Sequence, residues 1–143
     1  MDMTVEITGS EELQKSLEEA IRRYPDLAEK RIRMAGLKFK RDVVKKTKDV
    51  TRTRKGKLLK GYKVSKVQGY GKDMHVDFMA TAPHFHLVEH GHVQYSRNGK
   101  PRKPVGFTPG KHMVKQTVEG FGPEMEKRMT ELRDDILRES GLT

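Results

Sequence analysis

Cysteine is absent from the 143 residues, and so is tryptophan. Without thiols there can be no disulfides, no thiol catalysis and no Cys-ligated zinc. Aromatic residues are scarce at 6%, and hydrophobic residues reach 34% against 35% charged. The core is therefore lean: enough for one domain, 1–143, but poor in large buried anchors. No apolar run approaches the roughly 18 residues that cross a bilayer. The start, Met-Asp-Met-Thr-Val-Glu, has neither the basic head nor the apolar middle of a secretory signal. These absences exclude membrane proteins and disulfide scaffolds, and leave a soluble protein, cytosolic or carried on a particle.

What the chain has in quantity is charge, unevenly placed. Lys and Arg total 30 against 20 acids, a net +10. Residues 1–29 hold 3 basic and 8 acidic side chains, net −5; residues 30–72 hold 17 and 2, net +15; residues 73–143 hold 10 of each. The whole excess comes from one stretch. Such a block suits a polyanionic partner such as nucleic acid, because neutralised phosphates release counterions. It equally suits a solvated helix face followed by a loop, since no aromatics are interleaved before Tyr62 and Tyr70.

The hydrophobic pattern predicts a short strand over residues 4–7, then a helix capped by Ser10 with Leu13, Leu17, Ala20, Ile21 and Tyr24 on one face. Pro25 opens a second, longer helix to about Lys46 with Ala28, Ile32, Ala35, Phe39 and Val43 as its apolar stripe. Residues 47–60 lack a sustained period and read as a flexible basic loop, with Leu58 and Leu59 anchoring a turn at its end. Tyr62 and Val64, then Met74, Val76 and Phe78, alternate with polar neighbours around Gly69-Tyr70-Gly71-Lys72 and predict a hairpin. Residues 83–90 read as a short helix. A second hairpin centres on Asn98-Gly99, flanked by Val93, Tyr95, Val105 and Phe107. Thr108-Pro109 reads as the cap of a helix to about Glu119, which Gly120-Phe121-Gly122-Pro123 interrupts. A last amphipathic helix carries Met125, Met129, Leu132 and Ile136. The sum is an α+β fold, a small antiparallel sheet with helices packed on one face, and no internal repeat.

Four of the six histidines fall between His84 and His92. The segment His86-Leu-Val-Glu89-His90 spells H-x-x-E-H, the inverted zinc-peptidase signature. On a helix, His86 and His90 would share a face as two zinc ligands require, with Glu89 beside them. A third ligand is needed, and none of the acids among the 53 residues after His90 stands out. Adventitious metal capture is the better reading than catalysis. Gly69-x-Gly71 does not open a helix in a βαβ unit, so it is no dinucleotide loop. No Walker loop, nucleophile elbow or ordered triad is present. No cofactor is implied. The Met113, Met125 and Met129 stripe reads as core before it reads as an adaptable partner surface.

The run Ala82-Pro-His-Phe-His86-Leu-Val-Glu89-His-Gly91, a Gly/Pro-rich linker, and Pro109-Gly-Lys-His-Met resemble the neck and tail-completion proteins of long-tailed bacteriophages. Upstream, Thr53-Arg-Lys-Gly56-Lys-Leu58 is a loosened form of the Thr-Gly-x-Leu that ends that family's long helix, and His90 stands where the family has an aromatic residue. The resemblance spans roughly residues 26–120. It implies a structural virion protein with no enzymatic role, in which Ala82, His86, Glu89, Gly91 and Pro109 are fold-signature positions.

It further implies a ring subunit, commonly sixfold, assembled in the host cytoplasm and stationed at the neck or upper end of the tail. Its partners would be copies of itself, the neighbouring neck or connector proteins and the tail tube. The basic positions Lys48, Arg52, Arg54, Lys55, Lys57 and Lys60 then either touch genomic DNA in the lumen without reading its sequence or dock on an acidic neighbouring ring. Free sliding of DNA during ejection favours docking. The alternative from another class is a small basic protein that binds nucleic acid without sequence preference. Tail terminator and head-side neck protein remain equally open.

Overall fold

The computed structural model describes residues 2–3, 15, 18–19, 21–52 and 55–139. The strand expected over residues 4–7 and the Ser10 cap lie outside them. Lys15, Glu18, Glu19 and residues 21–23 are helical.

Helix α1 (Pro25–Val50) starts with Pro25 in its first turn and Asp26 beside the helix N-terminus, where an anion is favoured. Its buried residues are Ala28, Ile32, Ala35, Phe39, Val43 and Thr47, the expected stripe prolonged by one turn. The helix therefore runs past Lys46, where the basic loop was expected to begin. The reason is tertiary. Thr47 is fully buried; its hydroxyl donates to the Val43 carbonyl at 2.8 Å and lies 2.9 Å from the Tyr62 hydroxyl. The chain turns only at Thr51, whose N–H and Oγ1 both donate to the Thr47 carbonyl. A single helical turn, α2 (Lys57–Lys60), follows and buries Leu58.

Strands β2 (Tyr62–Val64) and β3 (Phe78–Ala80) form the first hairpin, with Tyr62 opposite Ala80 and Val64 opposite Phe78. A 3₁₀ turn at Gly71–Asp73 lies between them. Strand β1 (Asp2–Met3) pairs antiparallel on the other edge of β3, giving the order β1-β3-β2. Helix α3 (Phe85–His90) leads directly into β4 (Gly91–Tyr95), which pairs antiparallel with β5 (Pro104–Pro109) as a separate two-stranded sheet. The antiparallel pairing is thus divided between two sheets. Residues 96–103 close the second hairpin as a wide loop rather than a two-residue turn: the Ser96 N–H bonds the Lys103 carbonyl at 2.9 Å, and Gly99 sits at φ +103°.

The C-terminal half departs from the sequence reading twice. Thr108 and Pro109 do not cap a helix; they close β5 opposite His92 and Gly91. Helix α4 (Met113–Glu139) then runs unbroken through Gly120, Gly122 and Pro123. A proline inside a helix costs about 3 kcal/mol and glycine about 1, yet packing on either side of the weak point holds the helix together. Phe121 is buried against Phe39, with ring centroids 5.3 Å apart edge to face. Beyond it, Met129, Leu132 and Ile136 bury against Ala28. Arg31 of α1 joins this contact through ion pairs with Asp135 and with Glu131.

The main core gathers four of the five phenylalanines together with Tyr62. Phe39 meets Phe78 edge-on at 5.1 Å, and Tyr62 packs on Phe78 and Phe85 at 5.7 and 6.1 Å. Each such ring pair contributes about 0.5–1.5 kcal/mol beyond its burial. Met113 and Val114 are fully buried in the same cluster. The methionine stripe is therefore core.

Candidate interaction surfaces

Glu89 is 3% exposed. Its helix, α3, ends at Gly91, whose backbone has φ +88°, the left-handed region that a side chain disfavours. A Cβ there would also lie 2.6 Å from the Thr108 carbonyl and 2.8 Å from the Gly110 amide. The close approach brings the chain before α4 across the end of α3. Lys111 donates its N–H to the Val88 carbonyl at 2.8 Å and His112 to that of Glu89 at 3.1 Å. The Glu89 carboxylate then accepts the N–H of Val114 at Oε2 and of Lys115 at Oε1, both at 3.1 Å. It caps α4 from another element, doing at the positive helix end what Thr108 was expected to do.

This arrangement sends the H-x-x-E-H side chains to different surroundings. Glu89 points inward and is occupied by two backbone amides, while His86 and His90 are exposed on α3. Among the described residues no three His, Asp or Glu side chains come together as a metal site. Ala82 packs against the core, its carbonyl accepting the Phe85 N–H at 3.0 Å; Pro109 pairs with Gly91 at the base of the second hairpin.

The carboxylate also reaches the neighbouring phenol. Burial pushes the Tyr62 hydroxyl above its ordinary value of 10.0; the Thr47 hydroxyl partly offsets this, and the charge of Glu89 adds to it.

The basic positions are spread rather than clustered on one loop. Lys48 lies on the last turn of α1, exposed; Arg52 and Lys55 are exposed; Lys57 and Lys60 flank the buried Leu58 on α2. Arg54 lies outside the described residues. Part of the +15 block is matched internally, Arg31 by Asp135 and Lys38 by Asp42 at 2.7 Å. Four others, Lys40, Arg41, Lys45 and Lys48, line a groove of about 720 Å³ along α1, beside Met34, Leu37, Val44 and Arg128 of α4.

One surface escaped the sequence reading. The β4–β5 hairpin presents Val93, Tyr95, Val105 and Phe107, exposed by 43, 57, 65 and 61%. Four of the five phenylalanines are buried in the main core, and Phe107 is the fifth. Its loop carries Arg97, Lys100, Arg102 and Lys103, all exposed. The signal was present: residues 90–118 contain no acid at all. The acids of α4 masked it in a segment that sums to zero.

The buried acid is committed to backbone amides, while the second hairpin and the α1 groove expose apolar side chains beside cations. The fold is α+β. Residues 11–91 match the HK97-gp10-like family, described as bacteriophage HK97-gp10, putative tail-component. The match covers more than half of the 143 residues, and the chain belongs to this family of phage tail components. It takes in α1, α2, the first hairpin, α3 and Gly91, and stops where the second hairpin begins. No curated protein matches the chain, and no solved structure does. Among the described residues no helix is long and apolar enough to cross a membrane.

Proposed function

We propose that this tail component is a ring subunit, commonly sixfold, at the head–tail interface, where it completes the tail or joins it to the head. Membership of the tail-component family over residues 11–91 is the observation that carries this reading. The charge distribution supports it. A closed cyclic ring joins unlike surfaces head to tail, and this chain carries −5 over residues 1–29 and +15 over residues 30–72. The basic positions Lys48, Arg52, Arg54, Lys55, Lys57 and Lys60 serve docking on acidic protein surface in this reading. Part of that block is already paired within the fold, which weakens the case for a DNA-binding wall.

Electron microscopy of a lysate from a phage with a nonsense codon at Lys45 tests the proposal. Filled heads beside separate tails of normal length are expected for a joining or completion role. Tails of irregular length would move the protein to length termination. Intact particles would overturn the reading and return the basic block to nucleic-acid binding, whose mark is steeply salt-dependent affinity for any duplex.

A further inference from the structure

We infer that the β4–β5 hairpin is the arm by which the protein grips a different virion protein, one whose surface is apolar at its centre and acidic at its rim. The inference rests on the tail-assembly reading and concerns residues outside the family match. A two-stranded hairpin is marginal in water unless something packs on it. Here Val93 and Phe107 are cross-strand partners and Tyr95 stands opposite Pro104, so one face concentrates apolar and aromatic side chains that the fold leaves exposed. In a chain with 6% aromatics and a lean core, two of the three exposed rings gathered on one hairpin mark a contact surface.

Charge selects the occupant. Arg97, Lys100, Arg102 and Lys103 ring the tip, and no acid occurs between residues 90 and 118. A second copy is a poor fit. The groove along α1 is another apolar surface, and it is rimmed by Lys40, Arg41, Lys45, Lys48 and Arg128. Seating the hairpin there would bring like charges together at an interface, which is costly. DNA is a poor fit too, because phosphates would satisfy the cations and leave Tyr95, Val105 and Phe107 in water. An acidic-rimmed protein surface meets both requirements.

The test uses purified protein added to gradient-purified tails, and separately to filled heads, from the Lys45 nonsense lysate. Wild-type protein is expected to cosediment with one of the two, less so as NaCl rises. The pair Tyr95→Ser with Phe107→Ser should reduce binding at least about tenfold. Val105→Lys, at the most exposed apolar position of the hairpin, should do the same without touching the hairpin's base. Ser at Arg97, Lys100, Arg102 and Lys103 should weaken binding mainly at low salt. An unchanged thermal melt shows that each variant is folded.

Wild-type binding by all of these variants would overturn the inference. So would a fall in the self-assembled mass of the apolar variants by light scattering, which would make the occupant a second copy. Loss of binding to a duplex probe with unchanged binding to particles would make it nucleic acid. A defective lysate that the hairpin variants rescue fully would remove the arm alone. Complete particles in that lysate would remove the tail-assembly reading as well.

Discussion

The Glu89 carboxylate lies 3.1 Å from the amide nitrogen of Val114, and through that contact the end of one short helix holds the start of the longest one. Glu89→Ala leaves the Val114 and Lys115 amides without their acceptor. It should destabilise the fold by about 2–3 kcal/mol, as for charged hydrogen bonds and lost caps. Glu89→Gln keeps one acceptor oxygen and should cost less. Urea unfolding followed by circular dichroism measures both, and equal midpoints for wild type and Glu89→Ala would refute the capping role.

Gly91→Ala and Gly120→Ala should move stability in opposite directions. At Gly91 the backbone has φ +88° and a Cβ would press on Thr108 and Gly110; the substitution should cost more than about 1 kcal/mol. At Gly120 nothing lies within 4 Å of a Cβ and the residue is inside α4. There alanine should stabilise by about 0.5–1 kcal/mol. A destabilising Gly120→Ala would mean that the helix does break at this point.

Tyr62 gives the fold an alkaline limit. Its pKa is raised in the folded state, so the folded protein holds this proton more tightly than the unfolded chain. The contribution is fully present below pH 10 and is lost as pH rises through the raised folded value. Tyr62→Phe should therefore flatten the fall in melting temperature above pH 10. At neutral pH it should cost about 1 kcal/mol, for the hydrogen bond to Thr47. Melting curves from pH 8 to 11 for the two proteins would show the difference, and parallel curves would sink the assignment.

The basic segment should matter to assembly and little to folding. Replacing Arg52, Arg54, Lys55 and Lys57 with Ser removes four charges; Arg52, Lys55 and Lys57 are exposed. Surface changes of this kind usually alter stability by no more than about 0.5 kcal/mol. Particle assembly should fail while the melt is unchanged. Normal infectious yield would take this segment out of the mechanism.

Much of this architecture was legible because it rests on period and composition. The stripe of α1, the two hairpins and the core methionines follow from which positions are apolar and how they recur. What misled was local chemistry whose outcome depended on distant residues. Gly120, Gly122 and Pro123 weaken a helix by amounts that the burial of Phe121 and Met129 exceeds. Thr47 ends no helix because Tyr62, fifteen positions away, meets its hydroxyl.

The sequence by itself determined the α+β composition, the charge asymmetry and the family, since these depend on residue identity along the chain. Only the tertiary structure decided that Glu89 caps a helix. It also left Phe107 outside the core that buries Phe39, Phe78, Phe85 and Phe121. A side chain's role follows from its neighbours in space. Here Val114 stands twenty-five positions from Glu89, too far apart for any local pattern to connect them.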